Sequence, residues 1–322
     1  MARRVLLTGA TGFVGSHVAR GLVEAGYEVR CGVRTTSDTT ALDGLTVELV
    51  PLDLDQTNGM PAEALRDAEI VVHAAGITRA RREGDYHAVN AEATRRLAAA
   101  AAAAAVRRFV LISSLAARGP DASSHDGHDR PASAYGRSKA AAEAYLRGFG
   151  DRMETVALRP AGVYGPRDTD FLPLIKLARS GWLILPNGSL LLQPIYAEDV
   201  ARAVLATARA PVGFGPFPVA EPGRYTWREV AESLGRVLAR PVRTLRLPAA
   251  ALVLAGRASE RMASLRGGVP VLDERRARDL AVNAWTCEVS GTEEALGWRA
   301  EVPLFEGLER TVHWYRRAGW LA

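Results

Sequence analysis

The sequence predicts an α/β protein built on a doubly wound parallel sheet, followed by a smaller, mainly helical lobe. Two observations lead to this fold class. A glycine-rich turn stands between an apolar run and an amphipathic segment near the N-terminus, and short apolar runs then alternate with helical segments over about the first half of the chain. Beyond that half the alternation loosens. We therefore expect one wound domain that carries a second lobe.

The first element is a strand followed by a glycine turn and a helix, over Val5 to Gly15. Glycines recur there at three-residue intervals, and the amphipathic segment Ser16 to Ala25 follows. Gly9 permits the tight turn, Gly12 lets a pyrophosphate approach the backbone, and Gly15 lets the helix pack close to the strand. The helix N-terminus is then aimed at the anion. The pattern predicts a Rossmann-type dinucleotide site, and an ordinary flexible turn is the alternative.

The second predicted strand, Glu28 to Val33, ends where the adenosine ribose of a bound dinucleotide would lie. An acidic residue about 20 residues beyond the glycines normally binds the ribose hydroxyls of NAD. Val33 stands at the strand end, and Arg34 follows it in a loop of threonine and serine, a group suited to a ribose 2′-phosphate. The sequence thus predicts that NADP is preferred and NAD is still usable. A solvent-exposed arginine in a polar loop is the alternative.

The third and fourth predicted strands, Val47 to Leu52 and Ile70 to Val72, bring more residues to the same sheet edge. Asp53 follows the third strand, where its carboxylate can accept a hydrogen bond from the adenine amino group, and a helix cap is its alternative role. His73 to Gly76 follows the fourth strand, and its small residues let the dinucleotide pass against the backbone. We expect His73 itself to be packed and hydrogen-bonded, not catalytic.

A long helix over Asn90 to Ala105 leads to the fifth predicted strand, Phe109 to Ile112. The helix centre is the alanine run Ala98 to Ala105. Alanine has the highest helix propensity, and its small side chain lets a second helix approach closely, although a plain solvated helix can have the same composition. The strand delivers Ser113 and Ser114 at its carboxyl end, the edge at which open α/β sheets bind ligands.

The next helix begins at the segment Tyr135 to Lys139. Tyr135 and Lys139 are four residues apart and therefore share one helix face, although such a pair taken alone is also common on protein surfaces. The polar loop before this helix contains His125 and His128. We interpret these histidines as solvated turn residues, and we predict no metal site.

Later elements alternate less regularly. We expect a sixth strand at Val156 to Arg159 and a loop punctuated by glycine and proline from Pro160 to Arg167. Further predicted elements are a helix at Phe171 to Ser180, a strand at Leu190 to Ile195, a helix at Glu198 to Ala208, a last sheet strand at Phe217 to Ala220, and mainly helices from Tyr225 to Ala322. The predicted domains are a dinucleotide-binding Rossmann domain over 1–163, to which 195–221 return, and a substrate-binding lobe formed by 164–194 and 222–322.

The predicted sheet edge gathers the parts of a hydride-transfer site. Protonated Lys139 would lower the pKa of Tyr135 through its charge and hold the nicotinamide ribose, so that the phenol can exchange a proton with a substrate oxygen near neutral pH. Ser114 would donate a hydrogen bond to the same oxygen. The carbon that bears this oxygen then gives or takes a hydride at the cofactor.

Composition and charge argue against several other classes of protein. The chain has 322 residues with 48% hydrophobic and 24% charged residues, which is ordinary for a globular protein. The net charge is +5, but the arginines are spread along the chain without a basic tail, which favours solvated helix faces over a nucleic-acid surface. Cys31 and Cys287 lie far apart and have no metal-type spacing.

Targeting signals are also absent from the pattern. The first strand begins too early for a signal peptide, and the most apolar later stretch, Leu247 to Ala255, is shorter than the roughly 20 residues that span a bilayer. We therefore expect a cytoplasmic protein with a small-molecule substrate and without nucleic-acid or membrane partners.

The sequence resembles the extended short-chain dehydrogenase/reductase family, which includes sugar-nucleotide epimerases and dehydratases, 3β-hydroxysteroid dehydrogenases and dihydroflavonol reductases. The resemblance covers nearly the whole chain, and the pattern is most similar to the last two groups. The matching motifs are Thr8 to Gly15, Asp53-Leu54, His73-Ala74-Ala75, Val89-Asn90, Ser113-Ser114, Tyr135 to Lys139, Arg159-Pro160, Val163 to Pro166 and Ile195 to Val200.

The resemblance implies a role for individual residues. Ser114 is the implied catalytic serine, because the family's serine or threonine lies five residues before a glycine, here Gly119. Tyr135 is the implied acid/base and Lys139 its partner, and Asn90 matches a family asparagine near the active site that is often structural. With the turn and strand-end residues above, the predicted cofactor-binding set is Gly9, Thr11, Gly12, Phe13, Val14, Gly15, Arg34, Asp53, Leu54, Ala74, Ala75, Gly76, Tyr135, Lys139, Pro160, Gly162 and Val163. Relatives commonly form homodimers through the helices that carry Asn90 and Tyr135.

Two departures from the family pattern bear on cofactor and substrate. Val33-Arg34 replaces the acidic strand end of NAD-dependent epimerases. Sugar-nucleotide enzymes generally carry an arginine for the substrate diphosphate before the motif at Ile195, and this chain has Leu192 there, after Leu190 and Leu191. Arg167 and Arg224 are other possible sources of that charge, and the leucines are also ordinary core residues.

Three hypotheses remain after these comparisons of pattern. The leading one is an NAD(P)-dependent oxidoreductase that interconverts an alcohol and a carbonyl on a partly apolar substrate. The second is an NAD-dependent sugar or nucleotide-sugar epimerase or dehydratase that retains its cofactor. The third is a non-catalytic dinucleotide-binding protein, against which the intact set of Ser114, Tyr135 and Lys139 argues.

Overall fold

A computed structural model describes residues 3–55, 62–80, 82–120, 129–187, 191–266 and 284–321. Its strands are β1 (Arg4–Thr8), β2 (Glu28–Val33), β3 (Val47–Pro51), β4 (Ile70–His73), β5 (Arg108–Ile112), β6 (Glu154–Pro160), β7 (Val163–Tyr164), β8 (Trp182–Pro186), β9 (Leu191–Leu192), β10 (Ile195–Tyr196), β11 (Phe217–Val219), β12 (Tyr225–Thr226), β13 (Arg243–Leu247) and β14 (Ala284–Trp285). Its α-helices are α1 (Phe13–Glu24), α2 (Ala62–Leu65), α3 (Glu83–Tyr86), α4 (Ala93–Ala103), α5 (Ala134–Arg147), α6 (Leu172–Arg179), α7 (Ala197–Arg209), α8 (Trp227–Val237) and α9 (Ala249–Arg266), followed by the helices Ser290–Leu296 and Leu304–Arg317.

The main sheet consists of seven parallel strands in the order β11-β6-β5-β4-β1-β2-β3. Helices cover both of its faces. In β1, Val5 and Leu7 pack in the core that includes α1 and α7, whereas Leu6 packs in the core that includes α4 and α5. Such alternation is the mark of a strand buried on both sides. The predicted doubly wound sheet is confirmed, and its chain order changes direction between β1 and β4, where open α/β sheets bind ligands.

Part of the apolar surface of the alanine-rich helix is covered by other segments of the same chain. It begins as a π-helical stretch, His87–Glu92, and continues as α4. Ala98 and Ala101 are buried in the core beneath the sheet, and α5 packs against α4. The predicted neighbouring helix is therefore present in the same chain.

One prediction for the second half is wrong. The single strand expected over Leu190 to Ile195 is two strands in different sheets: β9 pairs with β12 and β14, and β10 pairs with β7. The break falls at Pro194, which has no N–H to donate to a ladder. The region after Tyr225 is mainly helical, as expected, and it also contains the short strands β12, β13 and β14, of which β13 forms a parallel pair with β8.

A separate hydrophobic core serves the C-terminal part of the chain. Tyr164, Tyr196, Leu234, Leu308 and Tyr315 are central to it. Among the helices described, none has the combined length and apolar character that crossing a membrane requires. No group of three or more His, Cys, Asp or Glu among the described residues is arranged to hold a metal ion. His125, His128 and Leu190 lie outside the described residues.

Candidate active site

The glycine turn has a geometry that only glycine satisfies at two positions. Gly9 has a φ of +74°, in the left-handed region that favours glycine, and its carbonyl accepts a hydrogen bond of 3.0 Å from the Gly12 N–H. A Cβ atom on Gly15 would overlap the Gly9 carbonyl group. The turn therefore brings the start of α1 directly against the end of β1, as the pattern predicts.

The start of α1 leaves room and donors for an anion. Gly12 is the N-cap residue, and its helix has no side-chain cap among the described residues and no acidic residue in its first turn. Phe13 and Val14 follow at the first helical positions, and Thr11 is half-buried in the turn. Uncapped N–H groups at a helix start fit a pyrophosphate, so the residues present suit a dinucleotide.

One cleft, of about 230 Å³, is lined by three of the four predicted catalytic residues, Ser114, Tyr135 and Lys139. Ser114 follows β5 and caps the 3₁₀ turn Leu115–Ala117, and its Oγ accepts a hydrogen bond of 3.1 Å from the Ala116 N–H. Tyr135 and Lys139 project from the first turns of α5. The other predicted residues that line this cleft are Phe13, Val14, Ala74, Gly76, Pro160 and Val163.

Lys139 is buried and held at the sheet edge. Its Nζ donates a hydrogen bond of 3.0 Å to the Ile112 carbonyl, the last residue of β5. Burial lowers the pKa of Lys139 to about 8, and the negative charge of Glu143 partly opposes this effect. A Cβ atom on Gly76 would lie 3.3 Å from this Nζ, so the glycine admits the lysine between β4 and β5.

Asn90 is buried and connects two segments that contribute residues to the cleft. Its Oδ1 accepts a 2.8 Å hydrogen bond from the Ile77 N–H, and its Nδ2 donates to the Ile77 carbonyl at 3.0 Å and to Ser138 Oγ at 2.9 Å. Ser138 Oγ in turn donates to the Tyr135 carbonyl at 2.7 Å. These contacts join the loop after β4 to the start of α5, and the catalytic role predicted for Asn90 stays a prediction.

His73 is packed and hydrogen-bonded, as the sequence predicts. Its ring lies fully buried between Thr8, with 2.6 Å from Nδ1 to Oγ1, and Thr94, with 3.0 Å from Nε2 to Oγ1. Burial, assisted by the positive charge of Lys139, lowers the pKa of His73 to about 3. The imidazole is therefore neutral at physiological pH.

A network of charged side chains contacts Ser113, and the sequence did not predict it. Both Ser113 and Ser114 line the cleft, and the Ser113 Oγ donates its hydrogen bond to the Glu143 carboxylate. The Arg159 guanidinium donates to Glu143 at 2.6 Å and to Asp129 at 2.8 Å. The available signal was that Glu143 lies one helical turn beyond Lys139.

The adenosine end of the predicted site is less enclosed. Arg34 is exposed, and none of the described carboxylates lies within ion-pair distance of it. Asp53 is half-buried, and its Oδ1 accepts a 3.0 Å hydrogen bond from the Asp55 N–H, a local turn contact. The Leu54 carbonyl accepts a bond from Arg96, and Gly162 is exposed beside the cleft.

The substrate side of the cleft has features that the sequence did not predict. Asp168 and Asp170 line it, and Arg79 forms an ion pair with Asp170 across the cleft mouth. Leu192 packs against the C-terminal core, and Gln193 is buried with its amide bonded to the Glu221 carbonyl at 2.8 Å. Asp168 thus places a carboxylate in the cleft lining, while Arg79 offsets the charge of Asp170.

The alternative arginines are differently placed. Arg224 pairs with Glu288 on an exposed surface. Arg167 has a φ of +74° in the loop after β7. Neither is among the residues that line the cleft.

Residues 5–217 match the NAD dependent epimerase/dehydratase family. The chain belongs to this family. It is 35% identical to the ceramide reductase of Caulobacter vibrioides, over 98% of this chain and 96% of that protein, and 28% identical to the UDP-glucose 4-epimerase of Vibrio cholerae, over 99% and 97%. Among solved structures it is similar to MoeE5 in complex with UDP-glucuronic acid and NAD, with a TM-score of 0.77, 26% identity and coverage of 98% and 99%.

These comparisons establish an enzyme family that contains reductases, dehydrogenases and epimerases. A further relative is the sterol-4-alpha-carboxylate 3-dehydrogenase of Saccharomyces cerevisiae, 27% identical over 96% of this chain and 97% of that protein. The protein is an NAD(P)-dependent oxidoreductase or epimerase with an extended short-chain dehydrogenase/reductase fold.

Proposed function

We propose that this protein is a ketoreductase that reduces a ketone on a long-chain lipid of the ceramide class. The full-length similarity to a ceramide reductase carries the substrate class. Two observations support it: Leu192 stands at the position where the resemblance implies an arginine in sugar-nucleotide enzymes, and Asp168 is an acidic residue of the cleft lining.

The catalytic roles follow from the cleft. Ser114 Oγ donates a hydrogen bond to the ketone oxygen, and the Tyr135 hydroxyl gives that oxygen a proton as it becomes an alcohol. The Lys139 ammonium stabilises the resulting phenolate and the ribose of the nucleotide. When bound, the nicotinamide supplies the hydride to the carbonyl carbon. Lys139 holds its place through the Ile112 carbonyl, and Asn90 fixes the start of α5.

The preferred cofactor is NADPH. Arg34 is exposed directly after β2, and none of the described carboxylates competes for it, so its guanidinium is available to a ribose 2′-phosphate. Val33 offers no carboxylate to the ribose hydroxyls of NADH. NAD(H) remains a usable second cofactor.

The remaining predictions concern assembly and location. We propose a homodimer formed through the helices α4 and α5, whose outward residues Ala99 and Ala103 are small enough for close approach. A cytoplasmic location, consistent with the two free, buried cysteines, stays a prediction.

A second candidate function is an epimerase that retains its cofactor. Its support is the 28% identity over the full length of a UDP-glucose 4-epimerase. The experiment that separates the two functions is a turnover assay with NADPH and either a keto-lipid or a UDP-sugar. Net NADPH oxidation with the keto-lipid supports the reductase, and conversion of the sugar without net nicotinamide change supports the epimerase.

The role of Tyr135 is tested separately. Tyr135→Phe should lower turnover by about 10²- to 10⁴-fold, the range for a positioned general acid. Tyr145→Phe, on the same helix, is the matched control and should retain turnover. Equal activity of the two variants would remove Tyr135 from the proposed site.

A further inference from the structure

The C-terminal part of the chain exposes large apolar side chains on one face of a small sheet. In β8, Trp182 is 45% exposed and Ile184 is 36% exposed, whereas Leu183 and Leu185 between them are buried. In β13, Leu245 is 46% exposed and stands opposite Ile184 in the parallel register. Aligned residues of paired strands project to the same side, so these three side chains form one apolar surface.

The helix that follows extends this apolar character. Pro248 alone separates β13 from α9. In α9, Leu254 is 67% exposed and Met262 is 53% exposed. They are eight residues apart and therefore lie on the same helix face. Exposed tryptophan, isoleucine and leucine side by side on one sheet face are unusual on a solvated surface.

The segments β8, β13 and α9 carry mostly positive charge, and Glu260 of α9 is the one acidic residue in their sequences. Residues 171–187 and 233–259 contain no Asp or Glu, and they contain seven basic residues. These are Lys176, Arg179, Arg236, Arg240, Arg243, Arg246 and Arg257. Arg243 lies opposite Trp182, with its guanidinium carbon 5.6 Å from the indole centroid. Within the described part of the chain, no carboxylate forms an ion pair with Arg243 or Arg246.

We infer that this face docks on an anionic lipid bilayer, with Trp182, Ile184 and Leu245 at the headgroup level and the arginines paired with lipid phosphates. Tryptophan and arginine are suited to that depth, because each has an apolar body and a polar end. The basic residues supply the attraction to an anionic surface, and the apolar ones the short-range binding. The contact is peripheral, and it revises the sequence prediction of no membrane partner.

The combination of positive charge and apolar side chains favours a membrane over a second copy of this chain or a nucleic acid. A second copy of this chain would bring two basic surfaces together, which is unfavourable. A nucleic acid would satisfy the arginines, but it offers nothing to bury Ile184, Leu245 and Leu254. An anionic bilayer satisfies both kinds of residue. The inference does not rest on the proposed lipid substrate, since it concerns a surface outside the residues that line the catalytic cleft.

The test is sedimentation of the full-length protein with phospholipid vesicles that contain no keto-lipid. We expect binding to vesicles of equal parts phosphatidylglycerol and phosphatidylcholine, weaker binding to pure phosphatidylcholine, and release by high salt, which screens surface charges. The variant Arg243→Ala should lower partitioning about fivefold, because Arg243 lies opposite Trp182 on the exposed face. Leu245→Ser should lower it by about tenfold.

Matched controls lie elsewhere on the surface. Leu49 is 46% exposed, like Leu245, so Leu49→Ser should bind vesicles as the wild type does. Arg299→Ala is the control for charge. A Trp182→Phe variant should retain most binding while losing the fluorescence quenching by brominated lipid.

Three results would overturn the proposal. One is no sedimentation with anionic vesicles at low salt. Another is an equal loss of binding in Leu49→Ser and Leu245→Ser. The third is concentration-dependent dimerisation, or tight RNA binding, that Leu245→Ser or Arg243→Ala removes while vesicle binding is unchanged. A failure to reduce ketones would not change vesicle binding, so the two proposals are tested separately.

Discussion

Lys139 offers the sharpest link between the fold and the proposed chemistry. A lysine buried in the native state has a lowered pKa because desolvation disfavours its charged form. Here the pKa falls from 10.5 to about 8, which corresponds to about 3 kcal/mol of destabilisation of the native state when the amine is charged. We therefore predict that Lys139→Met makes the protein more stable at pH 7, although it abolishes most turnover.

The gain in stability that we expect for Lys139→Met is smaller than the full cost of desolvating the charged amine. Methionine has a similar length but cannot donate to the Ile112 carbonyl, and leaving that acceptor unpaired costs about 1 kcal/mol. The net increase in the free energy of unfolding should be about 2 kcal/mol. Lys176, the other lysine of the chain, is exposed on α6, and Lys176→Met should change stability by less than about 0.5 kcal/mol.

The pH dependence of the stability difference between the wild type and Lys139→Met identifies the cause of that difference. Below pH 8 the amine is charged in both the folded and unfolded states, so the cost is fully present. Between about pH 8 and 10.5 the native amine is neutral while the unfolded one is charged, so wild-type stability rises relative to the variant. Urea unfolding of the cofactor-free proteins at pH 7 and pH 10 measures this. A Lys139→Met protein that is less stable than wild type at pH 7 would refute the reasoning.

Three further predictions concern the site. Arg34→Ala should weaken NADPH binding about 10- to 100-fold and barely change NADH binding, because one charge-assisted contact contributes about 1.5 to 3 kcal/mol; calorimetric titration with both nucleotides checks this, and an unchanged NADPH affinity would exclude Arg34. The kcat/KM for the cofactor should fall above pH about 8 as Lys139 loses its proton, so a profile flat to pH 10 would count against that lysine. Arg159→Met should cost about 3 to 5 kcal/mol of stability, since it leaves the buried Glu143 carboxylate without its partner; chemical unfolding measures the loss, and a change below about 1 kcal/mol would show the network to be dispensable.

Local patterns in the sequence were enough for the main sheet and the glycine turn. The strand Glu28–Val33 has the bounds that its apolar run predicts, and Gly15 packs on Gly9 because the spacing dictates it. Both depend on neighbours within a few residues along the chain. The same holds for Tyr135 and Lys139, which one helix places at one cleft.

Contacts between distant segments could not be predicted in this way. Asp170 meets Arg79 only after the chain has folded, and Gln193 reaches Glu221 and Cys287 across the C-terminal part. The strand Trp182–Pro186 was missed because its partner, β13, lies about 60 residues further on. Burial against a remote partner, rather than local propensity, decides these features.

The central claim is that this protein transfers a hydride to a lipid ketone and releases the oxidised cofactor. The most direct measurement follows nicotinamide absorbance and alcohol product together, with purified protein, NADPH and a long-chain keto-amide lipid. The proposed function predicts one NADPH oxidised for each alcohol formed, with loss of both signals in Tyr135→Phe. Epimerisation of a UDP-sugar with no net change in nicotinamide absorbance, and no reaction with the keto-lipid, would contradict it.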